Sequence, residues 1–356
     1  MPLFSKRLFS TFLIAILASH CAGLHALETL AAEVNVKQTR ADFLKLIDRP
    51  RVPLAPEVQD LPNVGDCIQQ HFTYASDAEQ RVPGILLKPS GNDEPKRGVI
   101  ILLHGTGGKK ESNLGLMKTL CAKGFIGVAI DGRYHGERTK AGGGDAEYCE
   151  AIYRAYKTGK EHPLYFDTAW DIMRLIDYLE TRPDVDPKRI GIMGFSKGGI
   201  ETVFAAAADP RISVVIPCIG VQSFHWGLDN GAWKARLGTV QKAAAAISQD
   251  DGTPIDAAFA RKFFDRLVPG IYGEFDHPAL LQLIAPRPML VINGDSDDKT
   301  PIPGLMEAAD AAKSAYHTAN VDEKFVLRIQ ANTGHSVNAE SQTAATEWFA
   351  KWLSNK

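Results

Sequence analysis

Arg189-Ile190-Gly191-Ile192-Met193-Gly194-Phe195-Ser196-Lys197-Gly198-Gly199-Ile200 reads as a short buried strand, a tight turn and the first turn of a helix. The apolar run Ile190–Met193 is closed by a glycine, as suits a strand inside a parallel sheet. From Ile200 the spacing turns helical and alanine-rich through Ala208. Between them stands Gly-x-Ser-x-Gly, with Ser196 at its apex. The flanking glycines remove Cβ atoms that would clash in a sharp strand-to-helix turn, and that turn lifts a hydroxyl above the sheet edge. The helix that follows aims free N–H groups and the positive end of its dipole at the same place. An acyl-transfer nucleophile needs that setting. A surface serine in a glycine-rich turn would carry the same few letters, so the rest of the chain decides.

Outward from this turn, strands alternate with helices. Strands are expected over Val99–Leu103, Phe125–Ile130, Ile190–Met193, Ile212–Ile216, Met289–Asn293 and Lys324–Ile329. Helices are expected over Ser112–Ala122, Asp167–Leu179, Lys197–Ala208, Gly304–Tyr316 and Ala339–Leu353. The alternation predicts an α/β fold, a mostly parallel central sheet with helices on both faces. Ligands then bind at the carboxyl ends of the strands. Upstream, Ile68–Tyr74 and Val82–Lys88 read as paired strands around Ser76–Gln80, and Ala41–Ile47 as a short helix. The proline-rich residues 36–66 otherwise show no clear pattern. Two stretches break the rhythm. His135–His162 is glycine-rich and polar. Residues 221–285, inserted after the sixth of these strands, hold Phe224, Trp226 and Trp233 with helical pieces near Thr239–Ser248 and Ala257–Leu267. This insertion reads either as a lid or as a packed peripheral helical pair.

The chain has 356 residues and a formal net charge of -2, and it carries no basic stripe. That argues against a nucleic-acid partner. Lys6-Arg7, the apolar run Leu8–Ala18 and the small residues after it form the pattern of a secretory signal peptide over residues 1–26, with cleavage after Ala26 or Ala32. The run is too short to span a bilayer, so no stable membrane span is expected after cleavage, and the product is expected to be secreted or periplasmic. His20 before Cys21 is a poor match to a lipoprotein anchor. Residues 27–97 then form an N-terminal extension with the first strands, and 98–356 the main core. Cys67, Cys121, Cys149 and Cys218 remain after cleavage. Cys121, in an expected helix, and Cys218, in an expected strand, read as buried free thiols. The disulfide status of Cys67 and Cys149 stays open. No Cys-x-x-Cys or His-Glu-x-x-His spacing occurs, so no metal site is expected.

A serine nucleophile needs a base to take its proton and a carboxylate to orient that base. With the order serine, acid, histidine, only His317 and His335 follow the acid loop. His317 ends an expected helix. His335 lies in the loop Asn332-Thr333-Gly334-His335-Ser336 just after a strand, where a base belongs. The acid should follow Met289–Asn293, in Gly294-Asp295-Ser296-Asp297-Asp298-Lys299-Thr300-Pro301. Its aspartates compete, because like charges cannot all be buried together. His104-Gly105-Thr106-Gly107-Gly108 follows Val99–Leu103, and its small residues let backbone N–H groups approach a substrate oxygen. Paired with the N–H of Lys197, they would make an oxyanion hole. No Gly-x-x-x-x-Gly-Lys-Ser/Thr or Gly-x-Gly-x-x-Gly is present, which disfavours a phosphate-binding loop.

In this combination and order, the motifs resemble the α/β-hydrolase superfamily over about 98–353. The closest branch is the dienelactone-hydrolase and acetyl-xylan-esterase-like one, related to the prolyl oligopeptidase catalytic domain. The resemblance implies Ser196 as nucleophile and His335 as base. The branch's acid loop commonly reads Gly-x-x-Asp-x-x-x-Pro; Gly294, Asp297 and Pro301 match it, which selects Asp297 over Asp295 and Asp298. Thr106 matches the upstream oxyanion residue. Asp131-Gly132-Arg133-Tyr134-His135-Gly136 resembles the branch's Asp-x-Arg-Gly-x-Gly run, with Tyr134 departing from the usual glycine. Asp131 and Arg133 then read as structural charges near the site. His104, Gly105, Arg133 and Trp226 are the candidates for the substrate pocket. Lys197 replaces the uncharged residue often found after the nucleophile; its side chain is expected to reach solvent, with a role in binding acidic substrates as the weaker reading.

The expected function is that of an exported serine hydrolase cleaving carboxylic esters through an acyl-enzyme, without a cofactor. Its substrate would be a small-molecule or polysaccharide-linked ester. One alternative is a small-amide or peptide hydrolase of the prolyl-oligopeptidase-like type. Too few residues precede Gly98 for the propeller such exported relatives usually carry. The other alternative is a binding protein on the same fold that has lost catalysis.

Overall fold

The computed structural model describes residues 36–91, 96–140 and 144–354. The expected signal peptide over residues 1–26, with Cys21, lies outside the described residues. The strands are β1 (Glu57–Val64), β2 (Cys67–Ala75), β3 (Arg81–Pro89), β4 (Arg97–Leu103), β5 (Ile126–Ile130), β6 (Val185–Phe195), β7 (Val214–Cys218), β8 (Met289–Gly294) and β9 (Phe325–Gln330). They form one sheet in the order β1-β2-β3-β5-β4-β6-β7-β8-β9. The first three pair antiparallel, and β3 joins β5 antiparallel. From β5 to β9 every pair is parallel.

The alternation of side chains along β4 shows why the sheet is covered twice. Val99, Ile101 and Leu103 join one apolar cluster, with Ile172 and Leu175 of the helix Phe166–Glu180 and Val203 of the helix Lys197–Ala208. Ile100 and Leu102 join the opposite cluster, with Met117 and Leu120 of the helix Leu114–Ala122 and Phe349 of the helix Ala339–Leu353. Strands buried on both faces must be apolar along the buried stretch, and Val99–Leu103, Ile126–Ile130, Ile190–Met193 and Val214–Cys218 are. The strand β6, which leads to Ser196, sits between β4 and β7, so the loops after β4, β6, β8 and β9 all rise from the same sheet edge.

Some elements depart from the sequence reading. β1 was not expected. It is an exposed edge strand interrupted by Pro62, so it lacks the alternating pattern that marks a half-buried strand. With β1 counted, the insertion 221–285 follows the seventh strand. The glycine-rich stretch after His135 contains a helix, Gly144–Thr158, whose buried Tyr148, Ile152, Ala155 and Tyr156 keep helical spacing. The insertion forms the short helices Phe224–Asp229, Trp233–Gly238, Gln241–Asp251, Ala257–Leu267 and His277–Gln282. Its Phe224, Leu237, Phe263 and Leu281 belong to the main apolar cluster, so it is a packed layer of the core.

Before β1, residues 36–47 form a helix. Its Phe43 is fully buried against Phe166, Phe204 and Phe275, so this segment shares the main core. Cys121 is not the free thiol expected: it is bonded to Cys67. The helix Leu114–Ala122 packs over β3, and β2 beside β3 carries Cys67 within reach. Cys218 is a buried free cysteine and Cys149 a half-buried one.

Candidate active site

Ser196 stands where β6 passes into the helix Lys197–Ala208, with φ 55° and ψ -115°. Such a backbone costs a non-glycine residue about 1–3 kcal/mol and persists only where the surroundings hold it. They do so by close approach. A Cβ on Gly194 would stand 2.1 Å from the Gly198 carbonyl oxygen, and one on Gly198 would stand 2.6 Å from that of Leu103. The glycines therefore let the helix start fold back on β6 and on the end of β4.

His335, on the loop after β9, brings Nε2 to 2.7 Å from Ser196 Oγ. Its Nδ1 faces Asp297, at 2.9 Å from Oδ1 and 2.8 Å from Oδ2. Asp297, on the loop after β8, also accepts from the Thr300 hydroxyl at 2.6 Å and from the Lys299 N–H at 2.9 Å. Burial alone would push this carboxyl up, but the bonds from His335 and Thr300 outweigh it and hold the group below its ordinary value. The neighbouring aspartates face elsewhere. Asp295 accepts from the N–H groups of Asn332 and Thr333, tying the β8 loop to the β9 loop. Asp298 lies on the surface beside Lys299. His317 is exposed and pairs with Asp322.

Gly105 approaches Ser196 so closely that a Cβ on the glycine would stand 3.5 Å from Ser196 Cβ. Thr106 is exposed on the same loop. As the first helical residue, Lys197 has a backbone N–H without an intrahelical acceptor. Buried His104 fixes the β4 loop: Nδ1–H donates to the Gly105 carbonyl at 2.7 Å, and Nε2 accepts from Gly132 N–H at 3.0 Å. Burial, aided by the Lys197 charge, lowers its pKa to about 4, so it is neutral near pH 7.

Other expected residues lie differently. The Lys197 side chain does not reach solvent: only 3% of it is exposed, and Nζ pairs with buried Glu201 one turn along the helix. Burial pushes the Glu201 carboxyl above its ordinary value while the Lys197 ammonium opposes that rise, and Tyr148 places its ring 6.0 Å from Nζ. The Arg133 guanidinium is taken up by Asp77 at 2.9 Å and Asp171 at 3.2 Å. Its charge is balanced inside the protein, which fits a structural charge, and it borders a cleft with Tyr134 and Glu161. Asp131 is likewise buried, accepting from the Lys110 N–H at 2.8 Å and the Lys110 ammonium at 2.9 Å. Trp226 is half-buried and packs over Gly304, where an added Cβ would meet its ring at 2.8 Å.

A family model described as glucuronyl esterase, fungi, matches residues 127–320, more than half of the chain. The chain belongs to the glucuronyl esterase family. The matched span of this family member holds Ser196 and Asp297 and ends before His335. The 4-O-methyl-glucuronoyl methylesterase 1 of Sodiomyces alcalophilus is 27% identical over 205 residues, 56% of this chain and 40% of its own. The chain thus spans about two fifths of that esterase's length. A Bacillus subtilis (strain 168) protein named as a hydrolase, YtaP, is 25% identical over 283 residues, 80% of this chain and 83% of its own. Acetyl xylan esterase 1 from Thermoanaerobacterium sp. JW/SL YS485 shares the fold with a TM-score of 0.66 at 20% identity, over 90% of this chain and 94% of its own. A glucuronoyl esterase from Solibacter usitatus does so with a TM-score of 0.59 at 18% identity, over 88% of this chain and 92% of its own. The fold is that of the α/β-hydrolases, and this glucuronyl esterase family member is a carboxylic ester hydrolase.

Some supporting residues had no signal in the sequence. Arg236, in the insertion, is 4% exposed and donates from Nη2 to the Lys299 carbonyl at 2.8 Å. The Gln222 amide donates to the same carbonyl at 3.0 Å. The insertion thereby braces the turn that carries Asp297. Asp276 accepts from the N–H groups of Phe224, His225 and His277 and from the Ser223 hydroxyl. Asp276 before His277-Pro278 is a legible helix cap, but what else it holds is not.

Proposed function

We propose that this family member cleaves carbohydrate-linked carboxylic esters through an acyl-enzyme on Ser196. Ser196 Oγ attacks the ester carbonyl carbon as its proton moves to His335 Nε2. The tetrahedral oxyanion is met by the backbone N–H groups of Thr106 and Lys197. His335 returns the proton to the leaving oxygen, so the alcohol departs and the acyl group stays on Ser196. Water then attacks the acyl carbon, giving its proton to His335, and the acid leaves as Ser196 is reprotonated. Asp297 holds the imidazole with Nδ1–H toward itself and stabilises the imidazolium formed in each half. The observation that carries this reading is the continuous chain from Ser196 Oγ through His335 to Asp297, at 2.7 and 2.8 Å.

Relatives named as glucuronoyl methylesterases and acetyl xylan esterases support a polysaccharide-linked substrate. Export through a cleaved signal peptide fits the Cys67–Cys121 disulfide, because such bonds persist in oxidising compartments. Among the described residues, no helix is long and apolar enough to cross a membrane. A panel of purified substrates tests the reading: a methyl glucuronate ester, acetylated xylo-oligosaccharides and acyl-nitrophenol esters. Turnover of at least one class is expected, falling by about a thousandfold or more in Ser196→Ala. Equal turnover by that variant, or hydrolysis of aminoacyl-nitroanilides alone, would overturn it.

A further inference from the structure

Arg236 lies buried in the helix Trp233–Gly238 of the insertion. Among the described residues, no carboxylate forms an ion pair with it. Burial pushes its pKa below the ordinary value, and Tyr165 and Asp297 oppose that only from a distance. For folding alone, a buried charge without a paired counter-ion is unfavourable. Its donors all converge on one place. Nη2 donates to the Lys299 carbonyl at 2.8 Å. Nε donates to the Gln222 amide oxygen at 3.2 Å, and the nitrogen of that amide donates to the same Lys299 carbonyl at 3.0 Å. Gln222 is itself fixed, because its backbone N–H donates to His277 Nδ1 at 3.2 Å. Burial and the Arg236 charge lower the His277 pKa to about 3, so that nitrogen is free to accept.

The Lys299 carbonyl and the Thr300 N–H are the two ends of one planar peptide unit and point in opposite directions. That N–H donates to Asp297 Oδ1 at 3.2 Å. Whatever grips the carbonyl therefore aims the N–H at the carboxylate. A charged donor on the carbonyl also polarises the peptide and strengthens the bond its N–H makes. We propose that Arg236 is a positioning residue for Asp297, acting through the Lys299–Thr300 peptide to hold the carboxylate in line with His335 Nδ1. The inference rests on the ester-hydrolase reading and goes beyond bracing of a turn. It makes a side chain of the insertion, outside the three residues of the reacting chain, one on which turnover depends.

A double-mutant cycle on a nitrophenyl ester tests it, with kcat and KM measured for Arg236→Met, Asp297→Asn and the two combined. Arg236→Met should lower kcat about ten- to hundredfold, the scale of a misplaced catalytic group. KM should stay within about twofold, because no substrate contact is removed. The urea midpoint should stay near that of wild type, since Gln222 still bonds the Lys299 carbonyl and a buried charge is gone. Arg236→Lys, which keeps a cation and a donor, should lose less. In the Asp297→Asn background, Arg236→Met should cost less than about threefold, because the group it acts through is already disabled. Should Arg236→Met not fold, Gln222→Leu removes the second donor in the same cycle, and a smaller kcat loss that vanishes with Asp297→Asn is expected. Losses that add in full, a raised KM with unchanged kcat, or a kcat that falls only in step with the urea midpoint would overturn the proposal. Fluorophosphonate labelling of the wild type separates the two readings. An unlabelled Ser196 sinks the ester mechanism, whereas a labelled Ser196 with additive losses removes only the role of Arg236.

Discussion

Asp297 owes its proposed role as the acid to what surrounds it. Its loop offers neighbouring carboxylates, but only this one has His335, Thr300 and a backbone N–H converging on it. Asp297→Asn should keep the fold and lose about 10³–10⁴ in kcat, as the amide favours the wrong imidazole tautomer. Asp298→Asn, on the surface, should stay within about twofold of wild type, since surface changes away from special features are small. Nitrophenyl-ester kinetics with circular dichroism as a fold control measures both. Ser196, His335 and Asp297 were legible because motif, chain order and spacing restrict each to a few positions. The direction of Lys197 was not. A lysine on the first turn of a helix ordinarily reaches water, and nothing in the letters marks Glu201, one turn on, as a buried partner.

At the scale of elements, the site depends on charges buried between helices and loops. Removing Glu201 leaves Lys197 without its counter-ion, so Glu201→Ala should cost about 3–5 kcal/mol, while replacing both by methionine should cost much less. Urea denaturation of the single and double variants measures the difference. Asp171, in the helix Phe166–Glu180, holds Arg133 and Arg138 from the loop after β5. Burial opposes its ionisation, yet those arginines hold its carboxyl far below the ordinary value. A carboxylate depressed in the fold stabilises above its unfolded pKa of about 4 and loses that contribution as pH falls toward the folded value. Asp171→Asn should therefore be less stable than wild type at pH 7, and the gap should narrow below about pH 4. Melting curves across pH 2–7 read this out; a gap independent of pH would exclude it. None of these pairs was visible beforehand, because each joins residues from separate elements or one helical turn apart within a buried face.

For the whole molecule, the parallel sheet and the order of its parts were legible, since strands buried on both faces write themselves as apolar runs. The exposed edge β1, the helix Gly144–Thr158 and the Cys67–Cys121 bond were not. The first has no buried face to leave a period, the second follows a glycine run, and the third joins cysteines 54 positions apart. A loop of that length gives an entropic stabilisation of about 4 kcal/mol in the chain-entropy model. Cys67→Ser with Cys121→Ser should shift the urea midpoint downward accordingly, and added reductant should no longer change it. A midpoint equal to that of the oxidised wild type would show that the bond adds nothing.

The central claim is that the fold brings Ser196, Asp297 and His335 from distant parts of the chain into one reacting unit. Fluorophosphonate labelling followed by peptide mass spectrometry tests it most directly. A single adduct on the peptide holding Ser196, strongly slowed in His335→Ala, is the result the geometry demands. An unlabelled Ser196 in the folded wild-type protein, or labelling at the same rate without His335, would contradict it.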